Sequence, residues 1–121
     1  MKKVLVVDDA AIIRSEVARV LGSAGFSVLE AGDGAAGLDV SRKNLDLSLI
    51  VLDVNMPIMG GLDMLDRLQE DARTAAIPVM LLTTEGQEAL IVRAKKAGAK
   101  GWLVKPAKPE ILLKAVERLA R

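Results

Sequence analysis

The sequence predicts an open, doubly wound α/β sheet of five parallel strands in order 2-1-3-4-5, with helices on both faces. Three observations lead there. Short apolar runs alternate strictly with stretches of helical periodicity, five times in 121 residues. The central run, Leu49-Ile50-Val51-Leu52, is continuously apolar, as suits a strand buried on both faces. Four of the five runs give way to a charged or hydroxyl residue where a loop begins, which is where open α/β sheets place their chemistry. Five units are too few for a closed eight-stranded barrel, and right-handed crossovers join parallel neighbours.

Each element has its own signature. Lys3–Val7 is β-branched and stops at Asp8-Asp9, giving strand one. Ile13, Val17, Val20, Leu21 and Ala24 recur at helical spacing and Gly25 ends the helix. Residues 26–30 form a shorter strand, and residues 35–43 a helix between Gly34 and Asn44. Strand three covers 48–52. A helix over 61–71 carries Leu62, Leu65 and Leu68 on one stripe. Strand four covers 78–82, followed by Thr83-Thr84; a helix over 87–97 is closed by Gly98. Gly101–Val104 is strand five. Pro109 opens a last helix whose inner face is read as Ile111, Leu112, Ala115, Val116 and Leu119. No linker, repeat or low-complexity segment interrupts residues 1–121, so one domain is expected.

Composition narrows the chemistry. Hydrophobic residues at 51% and charged residues at 27% argue against disorder. No apolar run approaches bilayer length, and the N-terminal MKKVLVVDD is too short for a signal-peptide core, so a cytoplasmic protein without membrane insertion is expected. With no cysteine there is no disulfide or thiolate chemistry, and with no histidine the commonest base and metal ligand is missing. A metal must then be held by oxygen, which favours Mg²⁺, Ca²⁺ or Mn²⁺. Charge is uneven: residues 1–90 hold 8 Lys/Arg against 14 Asp/Glu, and residues 91–121 hold 9 against 2. That pattern suggests an acidic site in front and a basic surface behind, suited to an acidic partner. Direct nucleic-acid binding is not expected, since Phe26 and Trp102 are the only aromatics available for stacking.

The candidate site gathers Asp8 and Asp9 after strand one, Asp53 after strand three, Thr83 after strand four and Lys105 after strand five. Singly, each has a bland explanation: Asp53 a turn former, Asp8 a helix N-cap, Thr83 a helix-start residue, Lys105 a solvated lysine. Together they form a site. Converging carboxylates stay ionised only with a cation among them. Mg²⁺ takes one or two carboxylates and leaves room for phosphate oxygens. Lys105 offers an ammonium and Thr83 a hydroxyl to a phosphoryl group. Asp53 becomes a candidate nucleophile forming an aspartyl phosphate, with charge neutralisation in place of a protein base.

VLVVDD at 4–9, IVLDVNMPIMGG at 50–61, LLTTE at 81–85 and AGAKGWLVKP at 97–106, in that order, resemble the response-regulator receiver domain family, the CheY-like single-domain type in particular. The likeness spans essentially the whole chain. It implies a flavodoxin-like fold and a phosphoacceptor that promotes only its own phosphorylation and dephosphorylation. It implies that Asp53 takes a phosphoryl group from a sensor histidine kinase or phosphotransfer protein. It implies Mg²⁺ (Mn²⁺ as a substitute) on Asp9, Asp53 and the Asn55 backbone carbonyl, with Asp8 assisting. Lys105 then pairs with the phosphate, Thr83 and Trp102 form the switch with Thr84 beside it, and the Lys105–Pro106 bond is cis. The surface of helix four, strand five and helix five meets a downstream protein target, as in chemotaxis or a phosphorelay. Three positions depart from the family pattern: Trp102 stands for a usual Tyr or Phe, Thr84 for Ala or Gly, and Ala107 for a frequent Phe. The first two put the usual switching amplitude in question.

Rival functions fit less well. A flavin- or nucleotide-binding module would want a Gly-rich loop after strand one, where Asp8-Asp9 stands. An aspartate-nucleophile phosphatase would want a second carboxylate at Asn55 and a cap domain. A degenerate scaffold would have lost Asp53, Lys105 or an acidic residue. With Arg121 just after the fifth helix, output by direct protein contact is expected.

Overall fold

The computed structural model describes residues 1–56, 59–84 and 88–121. The elements alternate as β1 (Lys3–Val7), α1 (Ala11–Ser23), β2 (Ser27–Ala31), α2 (Gly34–Lys43), β3 (Leu49–Asp53), α3 (Gly61–Glu70), β4 (Val79–Thr83), α4 (Glu88–Lys96), β5 (Gly101–Val104) and α5 (Pro109–Leu119). The strands form one parallel sheet in the order β2-β1-β3-β4-β5.

Strand alternation sorts the core into two layers. Leu5, Val7, Ile50, Leu52, Val79 and Leu81 face α2, α3 and α4, where Leu38, Leu65, Leu68 and Ala94 meet them. Val4, Val6, Leu49, Val51, Met80 and Leu82 face α1 and α5, where Val17, Leu21, Leu112 and Val116 close the layer. Every residue of β3 and β4 is buried, which is why both are apolar up to their last residue.

Three strands start one residue later than the apolar pattern suggests. Phe26 belongs to the end of α1 instead of β2: its N–H donates to Leu21 O, and the Gly25 N–H to Gly22 O. Gly25 sits at φ 96°, so this is a glycine-terminated helix end of the Schellman type. Gly98, at φ 99°, closes α4 the same way, with Ala99 N–H on Ala94 O and Gly98 N–H on Lys95 O. β3 and β4 each run on to their polar last residue, Asp53 and Thr83, because the backbone ladder continues past the last apolar side chain. Gln87, the expected first residue of the fourth helix, lies outside the described residues, as do Pro57 and Glu85 of the motifs.

One expected inner-face residue is misplaced. Ile111 is 51% exposed, while Leu112 and Val116 carry the buried stripe of α5 and Leu113 packs beside them. At about 100° per residue, a face centred on 112 and 116 turns position 111 outward. Ile111 instead borders a surface groove with Leu103, Lys114, Ala115 and Arg118.

Candidate functional site

Asp8, Asp53 and Lys105 meet at the carboxyl edge of the sheet. Each follows the α1/α5-facing parity of its strand, after Val6, Val51 and Leu103 respectively. Lys105 Nζ lies 2.8 Å from Asp53 Oδ1 and 2.9 Å from Asp8 Oδ2. The lysine side chain is 14% exposed, against 4% for Asp53 and 2% for Asp8. These are charge-assisted hydrogen bonds out of water, worth roughly 1.5–3 kcal/mol each. Lys105 is therefore a buried counter-ion here, and the solvated-lysine alternative is wrong. Asp8 Oδ1 accepts the Ala10 N–H at 2.9 Å, which turns the chain into α1; Ala10, not Asp8, is the N-cap residue.

Two buried carboxylates share this single ammonium. Burial pushes the Asp53 carboxyl above its ordinary value; the Lys105 hydrogen bond opposes that, and the nearby Asp8 charge adds to it. Burial pulls the Lys105 ammonium down, but its bonds to Asp53 and Asp8 outweigh this and its pKa rises. The cluster thus holds an excess of negative charge that a further cation can relieve.

Asp9 supplies the third carboxylate from an exposed position. One carboxylate oxygen from each of Asp8, Asp9 and Asp53 lies within 4.8 Å of the others. That all-oxygen set, close enough to share one ion, fits a hard divalent cation such as Mg²⁺. Asn55, two residues beyond Asp53, is exposed, and its side-chain amide reaches Thr84 Oγ1 at 3.4 Å across the mouth of the site. Thr83 is 2% exposed and its carbonyl accepts the Lys105 N–H at 2.7 Å, tying the ends of β4 and β5 together. The Lys105–Pro106 peptide bond is cis.

Trp102 is not part of the acidic cluster. It is half-buried on the α4 side of the sheet, paired in register with Leu81, and the Lys95 ammonium stands 5.2 Å from its ring centre. By the same alternation Thr83, following Leu81, shares this side. An apolar groove of about 240 Å³ opens on the other side, beside Lys105, between Ile12, Ile13, Val17, Ala107 and Leu112.

A contribution from β2 escaped the sequence, because Glu30 lies on an edge strand away from the carboxylates. Arg14 Nη1 donates to the backbone carbonyl of Asp8 at 2.7 Å, and Arg14 Nε donates to Glu30 Oε1 at 3.2 Å. Arg14 falls in the first turn of α1, directly after the acidic pair, and that placement is the one signal in the sequence that points to it.

A doubly wound sheet with carboxylates and a lysine at its carboxyl edge, and no glycine-rich loop after β1, defines a receiver-type signalling module rather than a dinucleotide-binding one. The chain belongs to the response regulator receiver domain family, whose model matches residues 4–117. It is 37% identical to the chemotaxis protein CheY1 of Helicobacter pylori over 95% of this chain and 94% of the relative. It is 34% identical to the protein PilH of Pseudomonas aeruginosa over 96% and 95% of the two chains. Among solved structures, the chemotaxis protein CheY4 of Vibrio cholerae superposes with a TM-score of 0.93 at 39% identity, covering 98% of each chain.

Proposed function

We propose that this receiver accepts a phosphoryl group on Asp53 from the phosphohistidine of a sensor kinase or phosphotransfer protein, and passes the signal on by protein contact, as in chemotaxis or a phosphorelay. The observation that carries this is the double engagement of Lys105 by Asp53 and Asp8, with Asp9 alongside. In the transfer the phosphorus–nitrogen bond of the donor breaks and an Asp53 oxygen–phosphorus bond forms; the donor leaves as imidazole. Asp9, Asp53 and the Asn55 backbone carbonyl would hold Mg²⁺, with Asp8 beside them; the ion would offset charge on the phosphoryl oxygens. Lys105, already poised on Asp53, exchanges a carboxylate partner for a phosphoryl oxygen. Thr83 and Thr84 lie at the next strand end to offer hydroxyls. Trp102, on the side of Thr83, is the proposed output switch. The face of α4, β5 and α5 is the proposed target surface, supported by the basic charge of residues 91–121. The protein's own chemistry is limited to gaining and losing this group.

Incubation with a small phosphodonor and Mg²⁺ is expected to add one base-labile phosphoryl group, seen as a single mass increment. Asp53→Asn is expected to abolish it, because an amide is not a competent nucleophile. Undiminished label in that variant would overturn the assignment of Asp53.

A further inference from the structure

We propose that Arg14 and Glu30 form a positioning brace for the divalent-cation site, setting cation affinity without touching the cation. This rests on the proposal that Asp8, Asp9 and Asp53 hold Mg²⁺.

The brace joins three segments. Arg14, in the first turn of α1, is 21% exposed and donates Nη1–H to Asp8 O at 2.7 Å. Its Nε–H is taken by Glu30 Oε1 at the end of β2, 3.2 Å away. Gly32, just beyond β2, leaves room: a Cβ there would stand 3.3 Å from Arg14 Nη1. The Asp8 N–H meanwhile donates to Ala31 O at 3.1 Å, so the same stretch of β2 holds the peptides on both sides of Asp8.

The atom that Arg14 holds is informative. Asp8 O belongs to the planar peptide group that joins Asp8 to Asp9. Fixing that oxygen fixes the plane from which the Asp9 Cα emerges, and so narrows the positions open to the exposed Asp9 carboxylate. Asp8's own carboxylate is already held by Ala10 N–H and Lys105. Asp9 has no such hold on its side chain among the described residues. Its placement depends on its backbone, and Arg14 is the side chain that grips that backbone. Groups that orient metal ligands from behind commonly change metal affinity 10–100-fold when removed.

Charge and geometry pull in opposite directions, which makes the brace testable. A guanidinium near three carboxylates repels a cation, so if Arg14 acted only as a charge, its removal would tighten Mg²⁺ binding. If it acts as a brace, removal weakens binding. Arg14→Lys keeps the charge but cannot present two N–H groups in a fixed fork to Asp8 O and Glu30. Glu30→Gln leaves Arg14 in place but loosens its anchor.

The experiment is calorimetric titration of MgCl₂ into metal-free wild type, Arg14→Lys, Arg14→Ala and Glu30→Gln, with folding checked by circular dichroism. About tenfold weaker Mg²⁺ binding is expected in Arg14→Lys, and weaker binding in Glu30→Gln. The phosphorylation rate from a small donor is expected to return to near wild type at saturating Mg²⁺, because the nucleophile and Lys105 are untouched. The Arg14 Nε–H NMR signal is expected to be protected from exchange in wild type and lost in Glu30→Gln. Arg14→Lys binding within twofold of wild type, or tighter binding in Arg14→Ala, overturns the brace alone. Absence of Mg²⁺ binding to wild type overturns the cation site itself. If Arg14→Ala does not fold, the other two variants decide.

Discussion

Trp102 lies across the sheet from the carboxylates whose state it is proposed to report. Asp8, Asp53 and Lys105 follow the α1/α5 parity of their strands, whereas Thr83 and Trp102 follow the α4 parity. A signal that starts, as proposed, at Asp53 would have to pass through the strand ends, and Thr83, whose carbonyl is bonded to the Lys105 N–H, stands at that crossing. The Lys95 ammonium over the Trp102 ring contributes about 0.5–1 kcal/mol at such an exposed position, which is small enough for a phosphoryl group to overcome. Trp102 is the only tryptophan, so its emission is unambiguous. Acrylamide quenching is expected to fall when a stable phosphoryl mimic and Mg²⁺ occupy the site, as the indole moves further from water. Quenching that is unchanged, with occupancy verified by mass, would mean that the indole does not move.

α4 is held differently from the other helices. Ala94 is its one buried side chain, whereas α3 buries Met64, Leu65 and Leu68 as well as Gly61. Among the described residues, the polar side-chain ties of α4 to neighbouring elements are charged. Arg93 pairs with Asp66 of α3 at 2.8 and 3.3 Å, and Lys95 rests on Trp102. The Arg93–Asp66 pair is 46% and 38% exposed, so it is worth only about 0.2–1 kcal/mol. Local opening is cheapest where apolar burial is least. Amide hydrogen exchange is accordingly expected to be faster over 88–96 than over α3 or α5. Arg93→Ala is expected to speed it further while moving the global Tm by no more than a few degrees; equal protection across the three helices would contradict this. The sequence made the existence and order of all ten elements legible, since the apolar period switches between strand and helix from one element to the next, with Gly25 and Gly98 marking the ends of α1 and α4. Strand ends were less legible. Asp53 and Thr83 end their strands by backbone bonding, and a side-chain pattern does not record which N–H groups are paired. The Asp8, Asp53 and Lys105 cluster could be found because the ends of β1, β3 and β5 lie along one edge of the sheet by topology alone. The Arg14–Glu30 brace could not, because it joins a helix turn to an edge strand through a main-chain carbonyl. Ile111 was misassigned because an apolar residue beside a helix's buried stripe reads like part of it.

The whole molecule carries the cost of its site. Asp53 titrates above the ordinary value near 3.8 in the folded protein, first because it is buried. A carboxyl raised in this way favours folding while protonated, and that contribution is lost as pH rises through its folded pKa. At neutral pH the ionised Asp53 therefore weakens the metal-free fold. Lys105 is also raised, by its two carboxylates against the pull of burial, so its contribution is intact at neutral pH and is lost only in alkali. Two results are expected from thermal melts at pH 7. Asp53→Asn should raise the Tm of metal-free protein and flatten its dependence on pH above 4. Mg²⁺ at ten times its Kd should stabilise wild type by about 1.4 kcal/mol, or roughly 4–6 °C for a domain of this size, and Asp53→Asn should lose most of that gain. A lower Tm for metal-free Asp53→Asn would show that the carboxylate supports the fold.

Gly61, where α3 begins, sets what the gene can tolerate. A Cβ at this position would land on the Asp53 carbonyl oxygen, with the Val54 Cα at 2.9 Å. Backbone cannot yield there without shifting Asp53, the proposed acceptor. By contrast Gly22, inside α1, has nothing within 4 Å of its Cβ direction. A lineage of this protein is thus free to drift at 22, where alanine would even favour the helix by about 1 kcal/mol. At 61 it is confined to a single amino acid, and the confinement comes from the bare space one atom needs, before any selection for signalling acts.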